Sequence, residues 1–266
     1  MKFSNFFRNS QLFSPQSASV GSGSQGASRV VYLNFNESPF GPLPPALDAA
    51  RDSLPGCGRY GFGAIDQLHQ ALALELAVPA DHLTLYPGSN RALHYAAATF
   101  TGPGRSLVVA TPGYPICELA ARRAGADVHK VPLRKDGAHD LARMCAVEDA
   151  GLIYLCNPNN PTGTITPHNA ILQALAQKPG DAVLLVDEAY LQFCDEPSML
   201  PWIEQRADLI ALRTFSKIYG LAGLRIGMAM AQPQTLQRIT TLPADDVSIT
   251  AAQAALASLG HGHQVA

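Results

Sequence analysis

The stretch RTFSKIYGLAGLRIG, residues 213–227, sets Lys217 between a segment carrying the hydroxyls of Thr214 and Ser216 and a glycine-rich turn that runs on to Arg225. An amine attacks carbonyl carbon only in its neutral form, and a lysine near another cation or out of water loses its proton more easily. Two more polar stretches follow apolar runs in the same manner: Asn157 opens NPNNPTG after LIYLC, and Asp187 opens DEAY after AVLLV. Together these residues suit a lysine Schiff base to pyridoxal phosphate. Asp187 would keep the pyridine nitrogen protonated so that the ring draws electrons, and Asn157 with Tyr190 would donate to the ring oxygen. For the phosphate, PGSNRAL (residues 87–93) provides a glycine turn into a helix N-terminus, and Thr214, Ser216 and Arg225 provide hydroxyls and a guanidinium fork.

These residues share a site only if the runs before them are neighbouring strands. SLVVA (106–110), LIYLC (152–156), AVLLV (182–186) and LIALR (209–213) are short and apolar without alternation, as in strands of a parallel sheet covered on both faces. Between them lie helical patterns. Ile65, Leu68, Leu72 and Leu76 recur at helical spacing, and residues 92–98 follow PGSN with Ser89 or Asn90 as N-cap. Strand and helix alternate, so the expected fold is α/β, a mostly parallel, doubly wound sheet with helices on both faces. Ligands of such sheets bind at the carboxyl ends of the strands, where Asn157, Asp187 and Lys217 would stand. Met228 and Met230 read as core strand residues.

The chain has 266 residues, 47% of them hydrophobic and 15% charged, enough for one large core. A formal net charge of −2 gives no basic stripe for nucleic acid or an anionic membrane, and no apolar run reaches a membrane span of about 18 residues. The cysteines, at 57, 117, 145, 156 and 194, contain no CxxC pair; they read as reduced, mostly buried thiols of a cytoplasmic protein without a metal site. The histidines show no ligand spacing either. Residues 14–28 are small and polar, as in a flexible leader. Gly21, Gly23 and Gly26 spell GxGxxG there, but serine-rich sequence flanks them instead of the strand and helix a dinucleotide loop requires.

With these motifs in order, the chain resembles fold-type I pyridoxal-phosphate aminotransferases of classes I and II, and among them the histidinol-phosphate aminotransferases. The matching stretches are YLNFNESPFGP (32–42), RYG (59–61), TPGYP (111–115), NPNNPTG (157–163), DEAY (187–190) and RTFSKIYGLAGLRIG. The resemblance implies that Lys217 carries the cofactor and Asp187 pairs with its ring nitrogen. It further implies that Asn157 and Tyr190 meet the ring oxygen and that Tyr114 stacks on the ring face. Ser89, Asn90, Thr214, Ser216 and Arg225 would form the phosphate cup, and Tyr60 would reach the phosphate of a neighbouring subunit in a homodimer. The implied reaction moves an amino group between an amino acid or amino phosphate and a 2-oxo acid in amino-acid biosynthesis. A threonine-phosphate-type decarboxylase or a weakly active cofactor-binding remnant shares the same motifs.

Domain boundaries follow from this reading: a leader at 1–28, an N-terminal arm at 29–55, a cofactor-binding large domain at 56–240, and at 241–266 the start of a connection to a C-terminal domain. That small domain carries the family's substrate-gripping arginine and is expected to be truncated here, so that the chain would hold cofactor but turn over amino acids poorly. GSNRAL and RYGFGAIDQL also depart from the histidinol-phosphate pattern, which carries an acidic residue after the helix cap and RYPDP.

Overall fold

The computed structural model describes residues 34–240 and 246–261. The leader and its glycine triplet lie outside the described residues. The chain divides into two units, residues 1–35, of which only Asn34 and Phe35 are described, and residues 36–266, which carry the sheet and the candidate site.

Seven strands form one sheet: β1 (Leu83–Tyr86), β2 (Ser106–Thr111), β3 (Val128–Pro132), β4 (Ala150–Cys156), β5 (Val183–Asp187), β6 (Leu209–Thr214) and β7 (Gly227–Met230). Their order is β1-β7-β6-β5-β4-β2-β3, parallel from β6 through to β3, with β7 antiparallel to both β6 and β1. The four apolar runs are β2, β4, β5 and β6, displaced by at most two residues at an end. Each is buried nearly throughout, because helices cover both faces. Along β4, Ile153 and Leu155 face one core, and Leu152, Tyr154 and Cys156 face the other, as the twofold side-chain period of a strand requires.

The first core is completed by α1 (Pro44–Ser53), α2 (Phe62–Glu75), α5 (Leu141–Cys145), α6 (His168–Gln177) and α8 (Ile249–Leu259), and the second by α3 (Ser89–Phe100), α4 (Ile116–Arg123) and α7 (Pro233–Thr240). The helical spacing of Ile65, Leu68 and Leu72 is that of α2, where Leu68 and Leu72 are buried; Leu76 is its C-cap. Neither Ser89 nor Asn90 caps α3. Gly88 does, at φ +82°, and both expected caps become the first helical residues. Edge strand β3 was illegible because VHKVP exposes His129 and Lys130 and has no apolar run. Met228 and Met230 are buried in β7. Cys117 and Cys156 are buried, Cys145 and Cys194 half-buried and Cys57 exposed; all five are free thiols.

Ile153, fully buried at the centre of the sheet, should lose about 2–5 kcal/mol of stability when replaced by alanine. Leu74→Ala, at a side chain 83% exposed on α2, should change stability by about 0.5 kcal/mol or less. Urea denaturation of both variants checks the pair. A small loss for Ile153→Ala would contradict the two-sided core.

Candidate active site

Strand pairing carries the polar residues to one edge. Cys156 pairs with Asp187 and Asp187 with Leu212, so the parallel strands β4, β5 and β6 end close together. The reversed β7 starts where its neighbours finish: Gly227 pairs with both Thr214 and Tyr86. Arg225, just before β7, is thereby delivered to the edge that already holds Asp187, Thr214 and the start of α3.

Asp187 is buried and shares the Tyr154 side of the sheet. The Tyr154 hydroxyl donates to Oδ2 at 3.1 Å and the Ala189 N–H donates to Oδ1 at 3.1 Å. Burial raises its pKa to about 6, with Glu188 adding to the rise and the two hydrogen bonds and the charge of Lys217 pulling it down. Half-buried Lys217 donates from Nζ to the Asn36 carbonyl at 3.1 Å and lies 5.6 Å from the centre of the Tyr190 ring. Burial holds its pKa below the ordinary lysine value. Glu37 and Asp187 oppose that shift and Arg225 adds to it.

Thr214 Oγ1 donates to Ser216 Oγ at 2.9 Å, and Arg225 Nη1 donates to the same Ser216 oxygen at 3.3 Å and to the Ala222 carbonyl at 2.8 Å. Ser89 is buried at the first position of α3. A side chain at Gly88 would run into the Arg225 guanidinium, and one at Gly227 into the Ser89 nitrogen. Helix start, guanidinium and two hydroxyls thus enclose a cradle open only to glycine, and its donor set fits a phosphate dianion. Beside it, Tyr114 donates its hydroxyl to Asn90 Oδ1 at 3.1 Å, and burial raises the pKa of that phenol.

The side chain of Asn157, expected at the ring oxygen, is held by its own loop. Both ends of the Asn157 side chain are engaged with the backbone of Thr166: Oδ1 accepts from its N–H at 2.9 Å and Nδ2 donates to its carbonyl at 3.0 Å. Asn160, three residues on in the same motif, is the amide that meets Tyr190. Its Nδ2 donates to the Tyr190 hydroxyl at 3.3 Å, alongside Asn36 Nδ2 at 3.1 Å. Both asparagines precede a proline, so only the fold of the loop separates them. Burial raises the Tyr190 pKa to about 12. Asn36, Glu37, Phe40, Asn160, Tyr190 and Lys217 line a cleft of about 850 Å³. Tyr60 is not brought to this edge; it is 91% exposed and stacks on Phe62 at 5.8 Å. Among the described residues no helix is long and apolar enough to cross a membrane.

A half-buried lysine, a buried carboxylate and a cradle of hydroxyls and guanidinium thus stand at the strand ends of one α/β sheet. The chain belongs to the aminotransferase class I and II family, whose family model matches residues 28–265. It is 39% identical over 237 residues to histidinol-phosphate aminotransferase 1 of Cupriavidus pinatubonensis, covering 87% of this chain and 63% of that one. The histidinol-phosphate aminotransferase of Sinorhizobium meliloti, solved with pyridoxal-5'-phosphate, superposes with a TM-score of 0.82 at 30% identity, over 87% of this chain and 64% of that one. L-threonine-O-3-phosphate decarboxylase of Porphyromonas gingivalis superposes at 0.75 with 26% identity, over 84% and 70%. The fold is that of the fold-type I aminotransferases. The chain spans 57–63% of the length of three curated relatives it matches.

The buried Asp187 has a measurable cost. Its folded carboxyl takes its proton near pH 6 instead of near 3.8, so the folded protein binds more protons than the unfolded one between these values, and the ionised group destabilises the fold above them. Asp187→Asn should stabilise the cofactor-free protein at pH 8 by about 1–3 kcal/mol. The gain should shrink as pH falls and vanish below about pH 4. Denaturation at both pH values checks this, and a pH-independent difference would contradict it.

Proposed function

We propose that this chain binds pyridoxal phosphate through Lys217 and moves an amino group between an amino acid or amino phosphate, of the histidinol-phosphate kind, and a 2-oxo acid. The observation that carries the reading is the buried Asp187 at the edge shared by the Lys217 amine and the cradle of Ser89, Thr214, Ser216 and Arg225. When bound, the cofactor supplies an electron sink for the pair left at the substrate's α-carbon. The protein's part is positional and protonic. Asp187 would keep a proton on the ring nitrogen, Asn160 and Tyr190 would donate to the ring oxygen, and Tyr114 would cover a ring face. Asn90 is the second residue of the helix that would meet the phosphate, and its Oδ1 accepts from the Tyr114 hydroxyl. The Lys217 amine would be the base that takes a proton from the substrate's α-carbon and returns one.

The exposed Tyr60 supports a homodimer in which this side chain reaches the phosphate cradle of a second copy. Five free thiols suit the cytoplasm. The histidinol-phosphate aminotransferases among its relatives support a place in amino-acid biosynthesis.

The likeness to a threonine-phosphate decarboxylase gives a second reading, in which the same residues serve loss of carbon dioxide. Product analysis with histidinol phosphate, threonine phosphate and common amino acids separates the two. Stoichiometric carbonyl product with no carbon dioxide is expected; carbon dioxide release would favour the decarboxylase. Asp187→Asn should keep the cofactor and lower the rate on the order of a hundredfold or more, because an amide cannot hold the ring proton. An unchanged rate would remove Asp187 from the chemistry.

A further inference from the structure

Asn157 does not line the cleft, yet its side chain is buried and hydrogen-bonded at both ends, which calls for a reason. Its backbone N–H donates to the Asp187 carbonyl at 3.0 Å, tying the start of the loop to β5. Its amide closes on Thr166, at the far end of the same loop. Thr166 Oγ1 in turn accepts the His139 N–H at 2.9 Å and lies 2.7 Å from His139 Nδ1. Since that oxygen already accepts one hydrogen, its own hydrogen is available to Nδ1 of a neutral imidazole. Burial keeps the ring neutral, pushing its pKa down to about 4. All three residues are buried: Asn157 is 4%, Thr166 1% and His139 3% exposed.

A second stitch runs in parallel. Thr164 Oγ1 donates to the Gly137 carbonyl at 2.6 Å, and a side chain at Gly137, at φ +82°, would collide with Thr164. Inside the loop, Asn159 Nδ2 donates to Thr162 Oγ1 at 2.8 Å and its N–H to the Thr164 carbonyl at 2.9 Å. Asn160 sits on the span held between these fastenings.

We propose that Asn157, Thr166 and His139 are positioning residues, a buried clasp that shuts the loop 157–166 and sets where Asn160 presents its amide to Tyr190 and to the cofactor's ring oxygen. The last step rests on the pyridoxal-phosphate reading; the clasp itself does not. A polar cluster that served only to fill the core would be replaceable by apolar groups of the same shape. A clasp that aims Asn160 would instead change the electronic state of the bound cofactor when it is loosened, without touching the cofactor directly.

Two measurements test this on the 266-residue chain. The first is the pH midpoint of the visible absorbance of bound pyridoxal phosphate. A donor to the ring oxygen favours its anionic form, so loss of Asn160 should raise the midpoint, by about one unit in Asn160→Ala. Thr166→Val and Asn157→Ala should each raise it by about half a unit or more, Thr166→Ser should restore it, and Asn157→Ala should add little to Asn160→Ala. The ionisable groups around Tyr190 and Lys217, namely Glu37, Tyr114, Cys156, Asp187 and Arg225, are unaltered in all of these variants. Unchanged midpoints in Thr166→Val and Asn157→Ala, with Asn160→Ala shifted, would overturn the positioning role.

The second measurement needs no cofactor. Amide hydrogen exchange of residues 157–166 in the cofactor-free protein should quicken about tenfold in Thr166→Val, with β5 unchanged. If the parent takes up no pyridoxal phosphate, the function reading fails and exchange alone decides the clasp. Unchanged exchange then overturns it.

Discussion

A carboxylate at the end of a buried parallel strand is the constraint on which the other features depend. Asp187 follows Val186 at the end of β5, where both faces of the sheet are covered, so its charge is held out of water with only two hydrogen bonds and the distant pull of Lys217. Such a group raises its own pKa unless a cationic partner arrives. A protonated pyridine nitrogen is a partner of that kind. The destabilising carboxylate and the proposed chemistry are therefore two aspects of one placement. Next to it, the Glu188 carboxylate accepts from Ser198 Oγ, from the Met199 N–H and from Arg213 Nε at 3.0 Å. Of two adjacent acids, one is paired with an arginine and the other is not.

The reversed strand β7 solves a second problem. Parallel strands bring only their own carboxyl ends to the site, and a phosphate needs a cation as well as amides. By running antiparallel between β1 and β6, β7 places the residue before its first position at that edge, and this residue is Arg225. The close approach it requires is possible because Gly88 and Gly227 carry no side chain.

Part of this was legible in the sequence because Asn157, Asp187 and Thr214 each directly follow a short apolar run, and such runs without alternation suit strands buried on both faces. Asp187, Thr214, Ser216 and Lys217 were expected at strand ends on that basis, whereas Arg225 was read from the glycine-rich motif. Asn157 and Asn160 were not separable, since both are asparagines before proline in one motif and their difference lies in which end of the loop closes on Thr166. The start of α3 was misassigned because serine and asparagine are good caps by composition, whereas the backbone there needs a positive φ that only glycine supplies freely. His139 carried no signal at all. Its partner is 27 residues away and meets it only in the folded core.

The central claim is that the described edge of this chain is a cofactor site with Lys217 as the attachment point. Incubation of the purified protein with pyridoxal phosphate, reduction with borohydride and mass mapping of the digest addresses it directly. The account predicts one irreversible adduct, on the peptide containing Lys217, and its loss in Lys217→Ala. An adduct on another lysine, or none under saturating cofactor, would contradict it.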